Sequence, residues 1–444
     1  MWNKSWKGEV FHNYTEFWSN AVSAADRVEL KASADDHSRG QLPVWPRVFV
    51  YDLVPPFSDY NLSNASLHDI IGRPTGCSGH QHTITCSSFV WDTNHYGAAN
   101  MLAWRVYHSP KYRVFSPEDA DIFLVPVITN PKRNYLIDAA CRAIAEFDMK
   151  AQLPHLNGRT AHKHLFAISK EHPVAINCTQ WWSMPTGLLA RAIRLSYSEI
   201  QPEEYRPDEY DYLKFFHTLF REPNFLYPNL FSMPYLSSVH WLPESTASAS
   251  TTAALTPPWA AGETRPILML FLGAVNHGDI LVRTRLSEMC GSYHNKSICT
   301  HARYDANKTL LLKRKATFCL EPPGDTPYRR SFTDDIALGC IPVLFNRMQN
   351  HAYSWMWDGW REASRVLVPR GPFLKGQIDL FALLSSIPDH FRRRMQANIA
   401  AHARKFQMSR EDDPGDAVHM ILQGAMRASQ AIATTSIGLD RDLQ

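Results

Sequence analysis

The run FCLEPPGDTPYRRSFTDDIALGCIPVLF, residues Phe318–Phe345, constrains this chain more than any other stretch. A short apolar strand, TFCLE, is stopped by Pro322, Pro323, Gly324 and Asp325. Thr326 can cap a helix, and Pro327 suits the first helical position because its φ is already set and it has no N–H to lose. The spacing predicts a helix over 327–338. Gly339 supplies the positive φ of a helix end, and CIPVLF resumes as the next strand. Strand, tight turn, helix, tight turn and strand make a parallel α/β unit. Its helix opens at the carboxyl end of a strand, where anions bind in such sheets.

The charges on that helix have a pattern. Arg330 and Asp334 are four apart and share a face, as do Ser331 and Asp335. The amides near Tyr328 and Arg329, the helix dipole and a guanidinium can hold a diphosphate. A carboxylate one turn further on can accept from the two hydroxyls of a ribose. Each charge-assisted hydrogen bond is worth about 1.5–3 kcal/mol. A plain surface i,i+4 pair would contribute only about a few tenths of a kcal/mol. The Pro-Pro-Gly-Asp lead-in and the apolar strand that follows favour the pocket. Neither GxxxxGK[ST] nor GxGxxG occurs at this position, so neither a P-loop nor a dinucleotide fingerprint is implied.

At 444 residues the chain is too long for one ordinary core, and two domains are expected. A net charge of +3 is small for this length, which argues against a nucleic-acid partner while permitting a local anion site. Aromatic residues make up 12%, with 13 Trp; these serve core packing or line a sugar-binding cleft. No run of about 18 apolar residues occurs to span a bilayer, and the N-terminus lacks the apolar segment of a signal peptide. Seven N-x-S/T sequons nevertheless begin at Asn3, Asn13, Asn61, Asn64, Asn177, Asn295 and Asn307. They tilt towards a glycosylating compartment. Of the eight cysteines, Cys77 with Cys86 and Cys290 with Cys299 look like local disulfide loops. The expectation is a lumenal protein whose membrane anchor lies upstream of, or is absent from, this chain.

Residues 1–45 are polar and irregular and read as a stem or linker. RVFVY (Arg47–Tyr51), IFLVPV (Ile122–Val127) and LFAIS (Leu165–Ser169) are strands of a first Rossmann-like domain over 46–242, with a helix over Asn94–His108. Residues 243–265 are rich in Ser, Thr, Ala and Pro and read as an exposed loop. Strands Ile267–Val275, Thr317–Glu321, Ile341–Phe345 and Arg365–Pro369 then build a second domain over 266–410. Helices are expected over Val282–Met289 and Asp389–Phe406 there, and Asp416–Ala433 belongs to a C-terminal helix and tail over 411–444. Strands alternating with helices give parallel sheets, and two such units leave a cleft between them for a ligand.

The Phe318–Phe345 block resembles the signature of the exostosin family of glycosyltransferases, above all its plant and algal branch, which includes xyloglucan galactosyltransferases. That branch reads FCL-x-PPGD-[ST]-xx-RRS-xx-D-xxxx-GCIPV. RVFVYDLVPPF (Arg47–Phe57), SPKYRVFSPEDADIFLVPV (Ser109–Val127), FSMPYLSSVHW (Phe231–Trp241) and FLGAVNHGDILVRTRLSEMC (Phe271–Cys290) agree with the family in order. The resemblance covers about residues 46–400. It implies two facing Rossmann-like domains of GT-B type with the active site in the interdomain cleft. It also implies transfer with inversion from a nucleotide sugar held by the second domain, in type II membrane proteins of the Golgi with a lumenal catalytic domain. A UDP-sugar is the expected co-substrate, no cofactor or metal ion is expected, and the acceptor is a polysaccharide or glycoprotein. Complexes with other glycosyltransferases are possible partners.

The resemblance assigns donor-binding roles to Arg329, Arg330, Ser331 and Gly324. It gives the ribose or sugar contact to Asp334, with Asp335 as the fallback. Gly273 opens the family's glycine turn. Arg283 matches the arginine of the following helix, either a second phosphate contact or an anchor in the core. Inverting transfer also needs a general base. Glu171 and His164 are the candidates, with His172, His277 and Asp279 behind them. Asp119-Ala120-Asp121 spells a metal-binding Asp-x-Asp but stands just before a strand and reads as solvated. On the acceptor side the chain departs from the family. NGRTAHKHLF (Asn157–Phe166) keeps little of the family's NRSGGRDHF, and Ala98-Ala99 replaces the glutamate common after Tyr-Gly. A catalytically silent subunit that binds nucleotide sugar or a partner transferase is therefore the alternative.

Overall fold

The computed structural model of the chain describes residues 44–52, 61–72, 91–127, 152–168, 187–197, 229–240, 259, 263–303, 306–324, 327 and 329–441. Their strands form two sheets in which every pairing is parallel. The first holds β1 (Val48–Val50), β2 (Arg113–Val114), β3 (Ile122–Val127), β4 (His164–Ile168), β5 (Ile193–Ser196) and β6 (Leu230–Ser232), in the order β2-β1-β3-β4-β5-β6. The second holds β7 (Ile267–Leu272), β8 (Cys299–Ala302), β9 (Ala316–Glu321), β10 (Ile341–Leu344) and β11 (Val366–Leu367), in the order β11-β10-β9-β7-β8. The longer helices are α1 (Ala98–His108), α2 (Ile280–Ser292), α3 (Ala306–Lys315), α4 (Arg330–Leu338), α5 (Asp389–His402) and α6 (Ala417–Arg441). This is the two-sheet α/β arrangement expected from the sequence, and it is GT-B-like.

Both faces of each sheet are covered, which is why the strands read as unbroken apolar runs. In β7, Met269 and Phe271 join the large core, while Leu270 and Leu272 meet Cys319 and Cys340 on the opposite face. In each sheet the chain reverses its direction of strand addition once, between β1 and β3 and between β7 and β9. Outside the carboxyl ends of strands at such a reversal, the loops diverge and leave a crevice.

The halves are tied together by the C-terminal helix. Arg105 of α1 is buried and pairs with Asp416 at 2.9 Å and Asp412 at 3.3 Å, just ahead of α6. The Tyr112 hydroxyl meets His419 Nδ1 at 2.9 Å. Gly424, inside α6, lets the Trp355 ring of the second half approach so closely that a Cβ would lie 2.2 Å from it.

Several sequence expectations shift in detail. Helix α1 begins at Ala98 rather than Asn94, because the Asn94 side chain accepts from the Tyr96 amide and its carbonyl from the Gly97 amide. Strands β5 and β8 escape sequence reading because IRLS and CTHA mix polar and apolar residues without a period. Trp259 stands within the low-complexity stretch read as an exposed loop, yet it is buried and donates its indole N–H to the Ala337 carbonyl at 2.9 Å. Cys290 and Cys299 are joined as expected. Cys319 and Cys340 form a second disulfide that the spacing did not suggest, tying β9 to the residue just ahead of β10. Cys77 and Cys86 lie outside the described residues, as does nearly all of the stem.

Candidate active site at the junction of the two halves

The crevice of the second sheet is built by the loops that leave β7 and β9. Gly273 follows β7 with φ at 143°, and its amide donates to the Ala302 carbonyl at 3.1 Å. Further along that loop, Gly278 has φ at 69°, and a Cβ there would stand 2.6 Å from the Gly324 backbone. The two loops therefore touch main chain to main chain.

Arg283 holds them in that contact. It is 2% exposed, and its guanidinium donates to the carbonyls of Ala274 at 2.7 Å, Pro323 at 2.9 Å and Pro322 at 3.3 Å. Of its two sequence readings, this geometry is that of an internal anchor, made through carbonyls rather than an ion pair. Asp279 caps α2 through the Val282 amide and binds the buried Arg370 at 2.5 Å. That leaves Asp279 engaged as a structural carboxylate, while His277 beside it is exposed.

Helix α4 begins at Arg330, not Pro327. Arg329 takes the N-cap place with extended backbone and no side-chain cap, so Pro327 belongs to the turn ahead of the helix. Thr326, the expected cap, lies outside the described residues. The helix ends as expected at Gly339, in left-handed conformation at φ 71°. Here a Cβ would fall 2.5 Å from the Trp259 ring, so both the turn and the close approach require glycine.

The Arg329 guanidinium lies against Gly324, whose Cβ, if present, would be 3.4 Å from it. Arg330 reaches into the first half, donating to the Thr93 carbonyl at 3.3 Å and to the Ser238 hydroxyl. It also pairs with Asp334 at 3.5 Å on the shared helix face. Asp334 accepts the Ser237 hydroxyl at 2.5 Å. The segment that leaves β6 thus runs along the charged face of α4, and this face closes the junction between the halves.

Ser331 and Asp335 turn the other way. Asp335 is fully buried and bound to the Lys313 ammonium, which also meets Glu321 at 3.2 Å and the Ser331 hydroxyl at 2.9 Å. Ser331 in turn donates to Glu321 at 2.6 Å. Burial and the nearby Glu321 carboxylate push the Asp335 carboxyl well above the usual range, against the opposing pull of Lys313. One ammonium is thus shared by two buried carboxylates. It fixes the first turn of α4 to the end of β9.

His164 is wholly buried at the amino end of β4. Its Nδ1 meets the Thr160 carbonyl at 2.9 Å, its Nε2 meets the Tyr51 hydroxyl at 2.9 Å, and its ring stacks on Phe123 at 4.8 Å. That end of a parallel sheet is opposite the crevice, and both nitrogens are occupied. The geometry is that of a core histidine, and it does not fit the basic role expected for His164. Glu171 and His172 lie outside the described residues. Asp121 pairs with Arg47 at 3.1 Å while Asp119 is exposed, so Asp-x-Asp ends a surface strand approach. Among the described residues, Cys319, Asp335 and Cys340 have metal-ligand spacing, but the two sulfurs form the disulfide.

One group at this junction was not singled out by the sequence. His95 sits in the turn ahead of α1, two residues beyond the Thr93 carbonyl that holds Arg330. Its ring lies against Tyr96 at 3.9 Å and near Tyr235 at 6.1 Å. Burial, then the charges of Arg330 and Arg329, depress its pKa to about 4. Nothing local marks His95 among 20 histidines; only the approach of α4 does.

Two parallel α/β halves, joined through an arginine-bearing helix start at a strand-order reversal, define a GT-B-like protein. The Exostosin GT47 domain matches residues 44–371. The chain belongs to the exostosin GT47 family of glycosyltransferases. A probable xyloglucan galactosyltransferase of Arabidopsis thaliana, GT17, is 24% identical over 328 residues, covering 67% of this chain and 64% of that protein. Higher identities are confined to shorter stretches. Xyloglucan-specific galacturonosyltransferase 1 of the same plant is 37% identical over 22% of this chain, and the probable xyloglucan galactosyltransferase GT13 is 33% identical over 21%. Those two matches span only 15% and 20% of the relatives' lengths. The pneumococcal O-GlcNAc transferase GtfA aligns over 68% of this chain and 60% of its own, with 9% identity and a TM-score of 0.31, too loose to bear on the fold.

Proposed function

We propose that this chain is an inverting glycosyltransferase that moves a sugar from a UDP-sugar to a polysaccharide or glycoprotein acceptor. The observation that carries this reading is the crevice between the β7 and β9 loops. There Arg329 lies over Gly324, and the N-terminus of α4 opens at the end of β9. Neither Gly278 nor Gly324 adds a side chain where the two loops meet, so in this reading the diphosphate lies against main chain and the Arg329 guanidinium. In the reaction the acceptor hydroxyl loses a proton, its oxygen bonds to the anomeric carbon, and the C–O bond to the diphosphate breaks. The growing negative charge on that leaving group is met by Arg329, Arg330 and the helix dipole.

In this reading the residues divide into two groups. Arg329, Arg330 and Gly324 face the diphosphate, and Asp334 faces the ribose or sugar when Ser237 gives way to it. Ser331 and Asp335, bound to Lys313 and Glu321, hold α4 in place rather than touch the donor. Arg283 and Gly273 do the same for the β7 loop. No metal is invoked, because two guanidiniums and a helix start already supply positive charge at the leaving group. The sequon residues Asn61, Asn64 and Asn295 are exposed, which supports a lumenal setting. Residence in the Golgi accords with that; no described helix is long and apolar enough to cross a membrane.

The test is UDP binding by calorimetry, followed by turnover with UDP-galactose, UDP-glucuronic acid, UDP-xylose and UDP-arabinose. Arg329→Ala should weaken UDP binding at least tenfold and lower turnover on the order of 10²-fold. UDP affinity that ignores Arg329→Ala would remove the proposed site. A second reading, a silent subunit that binds nucleotide sugar or a partner transferase, is favoured by the way Arg330 and Asp334 are already engaged by Ser238 and Ser237. It predicts UDP binding without transfer or hydrolysis of any of these donors.

A further inference from the structure

We propose that His95 is the general base of the transfer, and that a diphosphate seated against Arg329 and Arg330 is what makes it one. The inference rests on the donor site proposed above.

His95 belongs to the first half, yet it stands where the second half delivers its positive charge. The Asn94 side chain closes the turn around it by accepting the Tyr96 amide at 3.0 Å, and the His95 carbonyl accepts the Leu236 amide at 3.2 Å. Both ends of that turn are thus fixed, one of them to the segment that also supplies Ser237 and Ser238 to α4. Arg330 donates to Thr93 in the same turn. The ring is partly buried against Tyr96 and Tyr235 and keeps some exposure, unlike His164 and His240, which are 0% and 1% exposed. A base must be reachable by the hydroxyl it serves. Of the three, His95 alone combines access with the junction.

The charges acting on the ring are those of Arg330 and Arg329, and both oppose its protonation. An imidazole held near pKa 4 is a weak base, so the free protein is poorly equipped to activate water. Burial is the larger cause and stays, but a bound diphosphate opposes the part that the two guanidiniums add. Its negative charge neutralises the two guanidiniums and favours imidazolium, so proton affinity rises when the donor is in place. The acceptor O–H then breaks with its proton passing to a ring nitrogen of His95. The acceptor oxygen bonds to the anomeric carbon, and the bond to the diphosphate breaks with its electron pair leaving on phosphate. Release of the nucleotide restores the repulsion and returns the proton to solvent.

The full chain is used for the test, with UDP as the probe. In NMR titrations the His95 ring, assigned by comparison with His95→Gln, should titrate near pH 4 in the free protein and at least one pH unit higher with UDP bound. His95→Gln should keep UDP affinity within about threefold and the melting temperature near that of wild type. Its turnover of whichever donor the wild type uses should fall by about 10²–10⁴-fold. The acid limb of the kcat profile should disappear with it. Added imidazole should restore part of the turnover of His95→Ala, which a purely structural role would not permit. If UDP fails to bind wild type, the donor site falls and this inference with it. If UDP binds but leaves the His95 titration unmoved, or His95→Gln turns over normally, the donor site stands and the base is another residue.

Discussion

Gly278 and Gly324 meet backbone to backbone across the two loops of the crevice, so close that a Cβ on Gly278 would stand 2.6 Å from Gly324. The contact is possible because neither residue carries a side chain and Gly278 holds a left-handed backbone at φ 69°. Gly278→Ala should therefore part the loops and strain the turn. We expect a loss of about 1–3 kcal/mol of stability and at least a tenfold loss of UDP affinity, measured by urea unfolding and calorimetry. Unchanged values for both would mean that the loops separate without consequence.

The Cys319–Cys340 disulfide closes a loop of sequence separation 21 around α4. Both half-cystines are essentially unexposed. Replacing the pair by serine should cost about 3 kcal/mol, on the chain-entropy account of cross-links. The change is expected in the denaturant midpoint. A midpoint equal to that of wild type would show that the strands and α4 hold together without the bond.

Lys313 is the cation of a buried cluster with Glu321 and Asp335. Lys313→Met leaves those carboxylates without it and should destabilise by about 3–5 kcal/mol. Asp335→Asn should be far milder, because the folded protein already favours the protonated acid. The sign for pH follows from that raised pKa. The stability contributed by protonated Asp335 is present at low pH and lost as pH rises through its folded pKa. Asp335→Asn should flatten this decline with rising pH in thermal melts; a steeper decline would contradict the raised pKa.

His164 and His240 are both kept neutral by burial, with pKa values lowered to about 4 and about 3. Unfolded histidine titrates near 6.5, so below that pH the unfolded chain binds protons that the folded one refuses. Their stabilisation is present above about pH 6.5 and drains as pH falls towards 4 and then 3. Melting temperatures should fall steeply over that window. His164→Gln should remove part of the slope, and an unaltered slope would place the acid sensitivity elsewhere.

Sequence alone was sufficient for the α/β class and the strand–helix–strand unit of Phe318–Phe345. Each rests on local physics: apolar strands buried on both faces, a helix closed by Gly339, and turns made by proline and glycine. The shared face of Arg330 and Asp334 was equally legible, since helical periodicity fixes it. What that face meets was not. The contacts of Asp334 with Ser237 and Arg330 with Thr93 and Ser238 join residues far apart in the chain. No local pattern encodes such a meeting. Likewise Asp335, spaced like a ligand contact, turned inward because Lys313 arrives from the neighbouring helix α3. His95 became notable only when the second half brought two guanidiniums near its ring. Periodicity decides which way a side chain leaves its own element; only tertiary folding decides what charge is waiting there.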